Sequence, residues 1–374
     1  MRIMIVMAGY FPGKKYGGPP VSIENFCSLL AEHECFIICK DHDMDDSGRY
    51  PSIACGWNGR PHCRVMYLSD SEYNYHTFER IAKEIRPDWL YMQGLFQACV
   101  LPCLRLAKNC HIKLLLAPRG ELCGGALKRK AYKKFPYLFF LRFSGLLKNV
   151  VFQSTSDEET AAIVHYLKIP LSRIHFLPNV PSLPDKTYDH PRKEPGSGRF
   201  VFLGRIHPHK NILAAISWLH SVKSNASLDI YGPIEDQGYW GECLSEIRNL
   251  PKNIQVNYRG LIGHGQVHET MAKYDAFVMP THSENYGHSI AEALVVGIPV
   301  VISDQTPWTD VNDFKAGWAL PLNLPQEHVR AMQTIIDMNQ EEMEVMRKAI
   351  HGYLVSKLKI NELHLNYNSV LAGN

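Results

Sequence analysis

Two segments in the second half of the chain carry side chains that could manage a polyphosphate. Gly204-Arg205-Ile206-His207-Pro208-His209-Lys210-Asn211 follows an apolar run and sets a guanidinium and an ammonium close together, where a strand gives way to a helix. Arginine offers a planar fork of donors and lysine a compact point charge, so the pair would offset the negative charge that builds on a departing diphosphate. The same residues also fit an ordinary solvated basic loop. The second segment, Pro280-Thr281-His282-Ser283-Glu284-Asn285-Tyr286-Gly287-His288-Ser289-Ile290-Ala291-Glu292-Ala293-Leu294, holds two carboxylates separated by seven residues. Glu284 reads as a loop residue able to accept hydrogen bonds from hydroxyl groups, and Glu292 as lying about two turns into a helix that opens near Gly287. Between them the amides of the helix start, approachable because Gly287 has no side chain, would bind an anion without a metal. Carboxylate, amides and carboxylate line up with the sugar, diphosphate and ribose of a nucleotide sugar. Acids also recur at such spacing by chance, and Glu292 fits an exposed helix position as well.

These residues need rigid carriers. Short β-rich apolar runs at 3–8, 35–39, 65–68, 89–92, 113–117, 150–153 and 174–177 alternate with helical segments, and the rhythm restarts at 200–203, 228–231, 254–257, 276–279 and 299–302. Continuous apolar strands separated by helices specify parallel sheets covered on both faces. The tract 183–199, rich in proline, glycine and charge, interrupts the alternation and reads as a linker. The expected division is a Rossmann-like domain at 1–180, a linker at 181–199, a second such domain at 200–355, and a C-terminal helix at 356–374 packing back on the first. In doubly wound sheets ligands sit beyond the carboxyl ends of the strands, where both segments fall. The stretch 340–371 reads as helical, with Met343, Met346, Ile350, Leu354 and Leu358 near one face for ordinary packing.

Composition narrows the classes further. A chain of 374 residues can bury two cores. Lys+Arg 40 against Asp+Glu 37 leaves a formal charge of +3, which asks for no nucleic-acid partner. Ten cysteines without a Cys-x-x-Cys pair read as reduced, mostly buried thiols, and Cys99 and Cys103 as packing residues rather than metal ligands. The opening run 1–9 is too short for a signal peptide, and no stretch approaches the roughly 18 apolar residues of a membrane span, so the expected location is the cytoplasm. The segment 127–148 mixes Lys128, Arg129, Lys130, Lys133, Lys134 and Arg142 with Phe135, Tyr137, Leu138, Phe139, Phe140, Leu141 and Phe143. It fits equally a packed helix with a basic face and a surface lying on an anionic membrane, peripheral at the inner face of the cell membrane.

The segment 284–292 resembles the Glu-x7-Glu signature of glycosyltransferase family 4, a retaining GT-B family, and Gly297-Ile298-Pro299-Val300-Val301-Ile302-Ser303-Asp304-Gln305-Thr306-Pro307-Trp308 is similar to members that build bacterial surface polysaccharides. Gly17-Gly18 resembles the family's glycine-rich acceptor-side loop, Pro118-Arg119-Gly120-Glu121-Leu122 with Ala126-Leu127-Lys128 and Tyr132-Lys133-Lys134 its second signature, and Thr155-Ser156-Asp157-Glu158-Glu159 the next. The resemblance implies an α/β fold of GT-B type, two Rossmann-like doubly wound parallel-sheet domains facing across a cleft. It implies that Arg205 and Lys210 bind the diphosphate, that Glu292 holds the ribose hydroxyls, and that Glu284 contacts the donor sugar with Asn285, Tyr286, Gly287 and His288 beside it. Arg259, Gly260 and Leu261 would flank the base, and Gly17 and Gly18 would let the backbone approach the phosphates. Arg119 stands where many members carry His; an always-charged side chain there points to phosphate or an acidic acceptor, with Glu121 beside it.

No convincing Asp-x-Asp stands at a strand end; Asp43, Asp45 and Asp46 read as a solvated loop. Arg205, Lys210 and the helix N-terminus would then stabilise the leaving group without a metal or other cofactor. The resemblance further implies retention of anomeric configuration. The expected activity is transfer of a hexose-type sugar, from UDP by default, to a glycan or lipid-linked glycan acceptor in surface polysaccharide assembly. A GT-B nucleotide-sugar epimerase and a catalytically inactive nucleotide-sugar-binding protein remain alternatives. A Rossmann oxidoreductase fits less well, because Gly9-Tyr10-Phe11-Pro12-Gly13 is not a Gly-x-Gly-x-x-Gly turn.

Overall fold

The computed structural model describes all residues except 45, 124–126, 128–130, 181–187 and 374. Asp45, Ala126, Lys128, Arg129, Lys130 and the first part of the expected linker therefore lie outside the described residues. The chain forms two compact units, Met1–Val180 together with Ile360–Asn374, and Pro181–Lys359.

Unit 1 is built on β1 (Arg2–Val6), β2 (Glu34–Lys40), β3 (Trp57–Arg60), β4 (Cys63–Leu68), β5 (Trp89–Gln93), β6 (Lys113–Ala117), β7 (Val150–Ser154) and β8 (Ile174–Phe176). They lie in the order β3-β4-β2-β1-β5-β6-β7-β8, parallel throughout except for β3 against β4. The central strand shows why its residues are apolar without alternation. Met4 and Val6 enter one core with Phe36, Leu90 and Phe152, while Ile3 and Ile5 enter the other with Ile37 and Phe26. Local chemistry sets the helix ends: Asn74 and Ser156 accept backbone amide hydrogen bonds at helix starts, and Arg86, His111 and Lys168 turn left-handed where helices stop.

Unit 2 carries β9 (Ser197–Leu203), β10 (Asn225–Tyr231), β11 (Ile254–Gly260), β12 (Ala276–Met279), β13 (Val300–Ser303) and β14 (Gly317–Leu320) in the all-parallel order β11-β10-β9-β12-β13-β14. Strand order reverses between β9 and β12 here, and between β1 and β5 in unit 1. A crevice opens at the carboxyl end of such a switch point. In unit 2 the loops bordering it are those holding Arg205 to Lys210 and Glu284 to Gly287.

The structure departs from the sequence reading in four places. β3 and β14 are additional strands: β3 is a short polar edge, and β14 opens on Gly317, where a Cβ would stand 2.4 Å from the Val300 carbonyl oxygen. The tract 181–199 does not end as a linker, since β9 already starts at Ser197. Gly198 hides that start because a Cβ there would lie 2.6 Å from Ile336 Cγ1, and the buried Lys193 ammonium donates to the carbonyls of Glu194 at 2.9 Å, Ser197 at 2.5 Å and Ile336 at 3.0 Å. The expected boundary at 355/356 falls inside the helix Gln340–Leu358, and 340–371 is two helices, the second being Ile360–Ala372, split at Lys359 with φ 40°. Their faces serve different cores: Met343, Met346, Ile350 and Tyr353 belong to unit 2, and Leu363, Tyr367, Val370 and Leu371 to unit 1. Among the described residues no helix is long and apolar enough to cross a membrane.

The helix Ile360–Ala372 completes unit 1. Trp89 Nε1 donates to the Leu371 carbonyl at 2.9 Å. The Tyr367 hydroxyl accepts from Gln153 Nε2 at 2.9 Å and donates to the Pro178 carbonyl at 3.2 Å, with its ring 5.3 Å from that of Phe26. Tyr367→Ala is expected to cost about 3–5 kcal/mol, the range for emptying an aromatic site, and Tyr367→Phe about 1 kcal/mol for the lost hydroxyl. Denaturant unfolding measures the cost. Amide exchange should rise in β5 and β7 and stay unchanged in β10; equal rises in both units would refute this placement.

Candidate active site

The loop after β9 is anchored by backbone contact before any side chain acts. Gly204 donates its amide to the Tyr231 carbonyl at 3.0 Å and Ile206 to that of Pro233 at 2.8 Å. This close approach requires glycine at Gly232, whose φ is 137° and whose Cβ would lie 1.9 Å from the Gly204 carbonyl oxygen. Arg205 is thereby aimed at Glu235, with Nη1 at 3.0 and 2.8 Å from its two carboxylate oxygens. Further on, the His209 carbonyl accepts from the His282 amide at 2.9 Å and the Thr281 hydroxyl at 3.2 Å, and His209 Nε2 lies 3.1 Å from the Ser283 carbonyl. Burial and the neighbouring Lys210 charge hold the His209 imidazole below its ordinary range. These bonds bring the two loops together, and Lys210 Nζ donates to Glu284 Oε1 in a part-buried ion pair.

The helix His288–Val295 starts from Gly287, at φ 79°. A Cβ there would press on Ile290 Cδ1 at 2.9 Å and approach Trp308 Nε1 at 3.4 Å. Trp308 Nε1 donates to the Tyr286 carbonyl and fixes the turn. Glu292 lies on the fifth residue of this helix rather than two turns in, because the helix opens at His288 and not earlier. It is 5% exposed, so it is no surface residue. Burial pushes its pKa up to about 7, against a weaker lowering by His264, whose Nδ1 stands 3.9 Å from Oε1. Beside it the Tyr286 hydroxyl is buried with no hydrogen-bond partner, and burial followed by the Glu292 charge raises its pKa. A hydroxyl-bearing ligand is the natural complement to such a pair.

At the end of β11, Gly260 has φ 76° and its carbonyl accepts from the Gly232 amide at 2.9 Å; Leu261 is exposed. Arg259 Nε donates to Asp229 Oδ2 at 2.9 Å. Burial tends to raise the Asp229 pKa, but hydrogen bonds from Asn257, Arg259 and Tyr274 outweigh it and hold the carboxyl low.

Unit 1 places Gly17 at φ 69° as the residue capping the helix Gly18–Leu29. Arg119, itself at φ 58°, is spent on neighbours: Nε donates to Gln93 Oε1 at 2.5 Å, Nη2 to the Tyr91 hydroxyl at 3.0 Å and Nη1 to Asn179 Oδ1. The Tyr91 hydroxyl donates to Gln153 Oε1 at 2.5 Å, so the hydrogen-bond chain reaches Tyr367. Glu121 accepts from the amides of Leu95 at 2.5 Å and Phe96 at 3.0 Å and from Gln97 Nε2 at 3.2 Å. The buried Glu159 binds the Gly120 amide at 2.5 Å and both the amide and hydroxyl of Thr155, so the Thr155 to Glu159 signature tethers the 118–121 turn. Gln93 Nε2, buried at the β1–β5 switch point, has no partner.

The sequence reading missed Glu235, Asp229, His264, Gln93 and Asn179. Asp229 had a visible signal, an acid inside the apolar run Leu228 to Ile230; the others had none, because their partners are distant in sequence. No group of three or more His, Cys, Asp or Glu side chains able to hold a metal gathers among the described residues.

Residues 186–352, a little under half of the chain, match the family described as glycosyl transferases group 1. The chain is 26% identical over 173 residues to the GtfA subunit of the UDP-N-acetylglucosamine–peptide N-acetylglucosaminyltransferase of Limosilactobacillus reuteri subsp. suis. That match covers 44% of this chain and 32% of the relative, so the chain spans about a third of the length of the curated relative it matches. Among solved structures, it resembles Anabaena HepE in complex with UDP and glucose at TM-score 0.71 and 13% identity, with 100% of both chains covered. It resembles WaaG, a glycosyltransferase involved in lipopolysaccharide biosynthesis, at TM-score 0.68 and 14% identity, again over 100% of both. The fold is that of these GT-B proteins. The narrower assignment to glycosyltransferase family 4 is corrected: the matching family is group 1, and none of these relatives singles out family 4.

Because the folded pKa of Glu292 lies above its ordinary 4.5, the native state holds the proton more tightly than the unfolded chain. Stability is therefore lost as pH rises from 4.5 towards about 7, by roughly 3 kcal/mol in total, and the loss is constant above that. Glu292→Gln removes the titration. Denaturant melts at pH 5 and pH 8 should show the variant gaining on the parent at the higher pH; a pH-independent difference would rule out a neutral buried Glu292.

Proposed function

We propose that the chain is a glycosyltransferase, moving a hexose-type sugar from a nucleoside diphosphate sugar, UDP foremost, to a glycan or lipid-linked glycan acceptor in surface polysaccharide assembly. The observation that carries this reading is the convergence of Lys210 and Glu284 at the strand switch of unit 2, beside a glycine-opened helix start. Arg205 and Lys210 are each paired with a carboxylate. A diphosphate arriving there exchanges with Glu235 and Glu284 as the anionic partner, and releases Glu284 towards the sugar hydroxyls. Glu292 and Tyr286 take the ribose, and the backbone at Arg259, Gly260 and Leu261 borders the base.

The bond between the anomeric carbon and the diphosphate oxygen breaks while an acceptor hydroxyl oxygen bonds to the same face of the sugar. The acceptor proton passes to the departing phosphate oxygen, so configuration is retained and no side-chain base is required. Arg205, Lys210 and the helix amides carry the charge of the leaving group, which makes the step independent of a metal ion. UDP in the HepE complex and the UDP-N-acetylglucosamine named for the GtfA relative support the choice of donor, and the lipopolysaccharide role named for WaaG supports the acceptor class.

A thermal-shift screen of nucleotides tests binding. UDP or a UDP-sugar at about 100 times its dissociation constant should stabilise the protein by about 2.7 kcal/mol; silence from both UDP and GDP compounds would overturn the proposal. Lys210→Ala is expected to lower turnover by about a hundredfold or more with the melting temperature little changed, measured with radiolabelled donor. EDTA should leave the rate unaltered, and a strict Mn²⁺ or Mg²⁺ requirement would refute the metal-free step.

A further inference from the structure

The helix Ala131–Phe143 of unit 1 presents its aromatic residues to water. Leu138 and Leu141 are buried and fix the inward side. On the 3.6-residue wheel, residues 132, 135, 139 and 143 form one stripe on the opposite side, with Phe140 next to it. Tyr132, Phe135, Phe139, Phe140 and Phe143 are between 46% and 74% exposed. Single exposed apolar residues are ordinary, but five aromatic rings on one short helix form a patch that water does not favour. The rings are arranged as a surface: Phe139 and Phe143 stand 4.6 Å apart, and Phe135 contacts Tyr166 of the next helix at 6.1 Å.

Charge distinguishes the partner. The helix has no acidic residue, and Lys133 and Arg142, both exposed, flank the stripe on its two sides. Arg142 sits 5.1 Å from the Phe143 ring and Lys133 5.7 Å from that of Tyr132, so each cation stands at the edge of the apolar strip. An aromatic centre flanked by these two cations matches an interface that is apolar inside and anionic outside, which is the profile of a lipid surface. At 13 residues the helix is too short to cross a bilayer and fits one lying along it.

We propose that this face docks the protein on an anionic lipid surface, with Phe135, Phe139 and Phe143 entering the headgroup boundary and Lys133 and Arg142 pairing with lipid phosphates. The docking does not depend on the transferase reading, and its test needs no substrate.

The purified full chain is floated with vesicles of phosphatidylcholine alone or with about 30 mol% phosphatidylglycerol. Recruitment to the anionic vesicles should exceed that to the neutral ones by about tenfold, and about 0.5 M salt should weaken it. The triple variant Phe135→Ser, Phe139→Ser, Phe143→Ser should lose recruitment with an unchanged melting temperature. Should that variant fail to fold, Lys133→Glu with Arg142→Glu carries the same test. Phe139→Trp should shift its emission to the blue on anionic vesicles only. Failure of the parent to bind, or binding untouched by either variant set, overturns the proposal. So does a dimer in sedimentation velocity that the serine variant converts to monomer, which would assign the face to a second copy of the chain.

Discussion

Arg205 and Lys210 carry like charges, and cations left without partners near one another are unfavourable. The protein prevents this by giving each its own carboxylate on a different loop, Glu235 after β10 and Glu284 after β12. The backbone joins those loops independently, through Gly204 against Tyr231 and His282 against His209. The cations are thus placed before a ligand arrives, and much of the ordering entropy is met at the folding stage. What a polyanion has to supply is a better partner than a carboxylate, and a diphosphate has more acceptor oxygens to offer both side chains at once.

Glu292 shows the complementary strategy. Its carboxyl lies under the turn that opens the helix His288–Val295, far enough from His264 that the attraction is modest and burial dominates. The unpartnered Tyr286 hydroxyl lies in the same region. A buried hydroxyl without a partner costs stability, and it is a group that a sugar hydroxyl can satisfy. Unmet polarity of this kind tends to gather where ligands bind.

Much of this was legible in the sequence because strand ends are where sequence and site coincide. Apolar runs marked most of the strands, and the loops after β9 and β12 had to fall at strand carboxyl ends. The strand order, which the sequence does not state, then set Lys210 and Glu284 on neighbouring loops. The sequence did not reveal that Arg205 is matched by Glu235, since pairing across neighbouring strands has no short-range signature. In the first half the structure adds bonds that the signatures did not announce: Glu121 and Glu159 accept from backbone amides, and Arg119 donates to Gln93, Tyr91 and Asn179. Their partners lie far apart in sequence, so residue type alone does not reveal them. The run 340–371 misled for another reason, because helical periodicity continues through Lys359 although the core being faced changes.

That change of core has a consequence for biosynthesis. The trough on unit 1 lined by Phe26 and Trp89 is covered by a helix that comes after the whole of unit 2 in the chain. A ribosome that has just finished the second unit holds that unit ready to fold as one contiguous stretch, while the first still shows an apolar gap on its flank. Closing the gap joins segments separated by the length of an entire domain, a loop whose entropic toll rises only slowly with length. Unit 1 thus stays open to chaperones, or to aggregation, at one defined spot until the helix Ile360–Ala372 emerges.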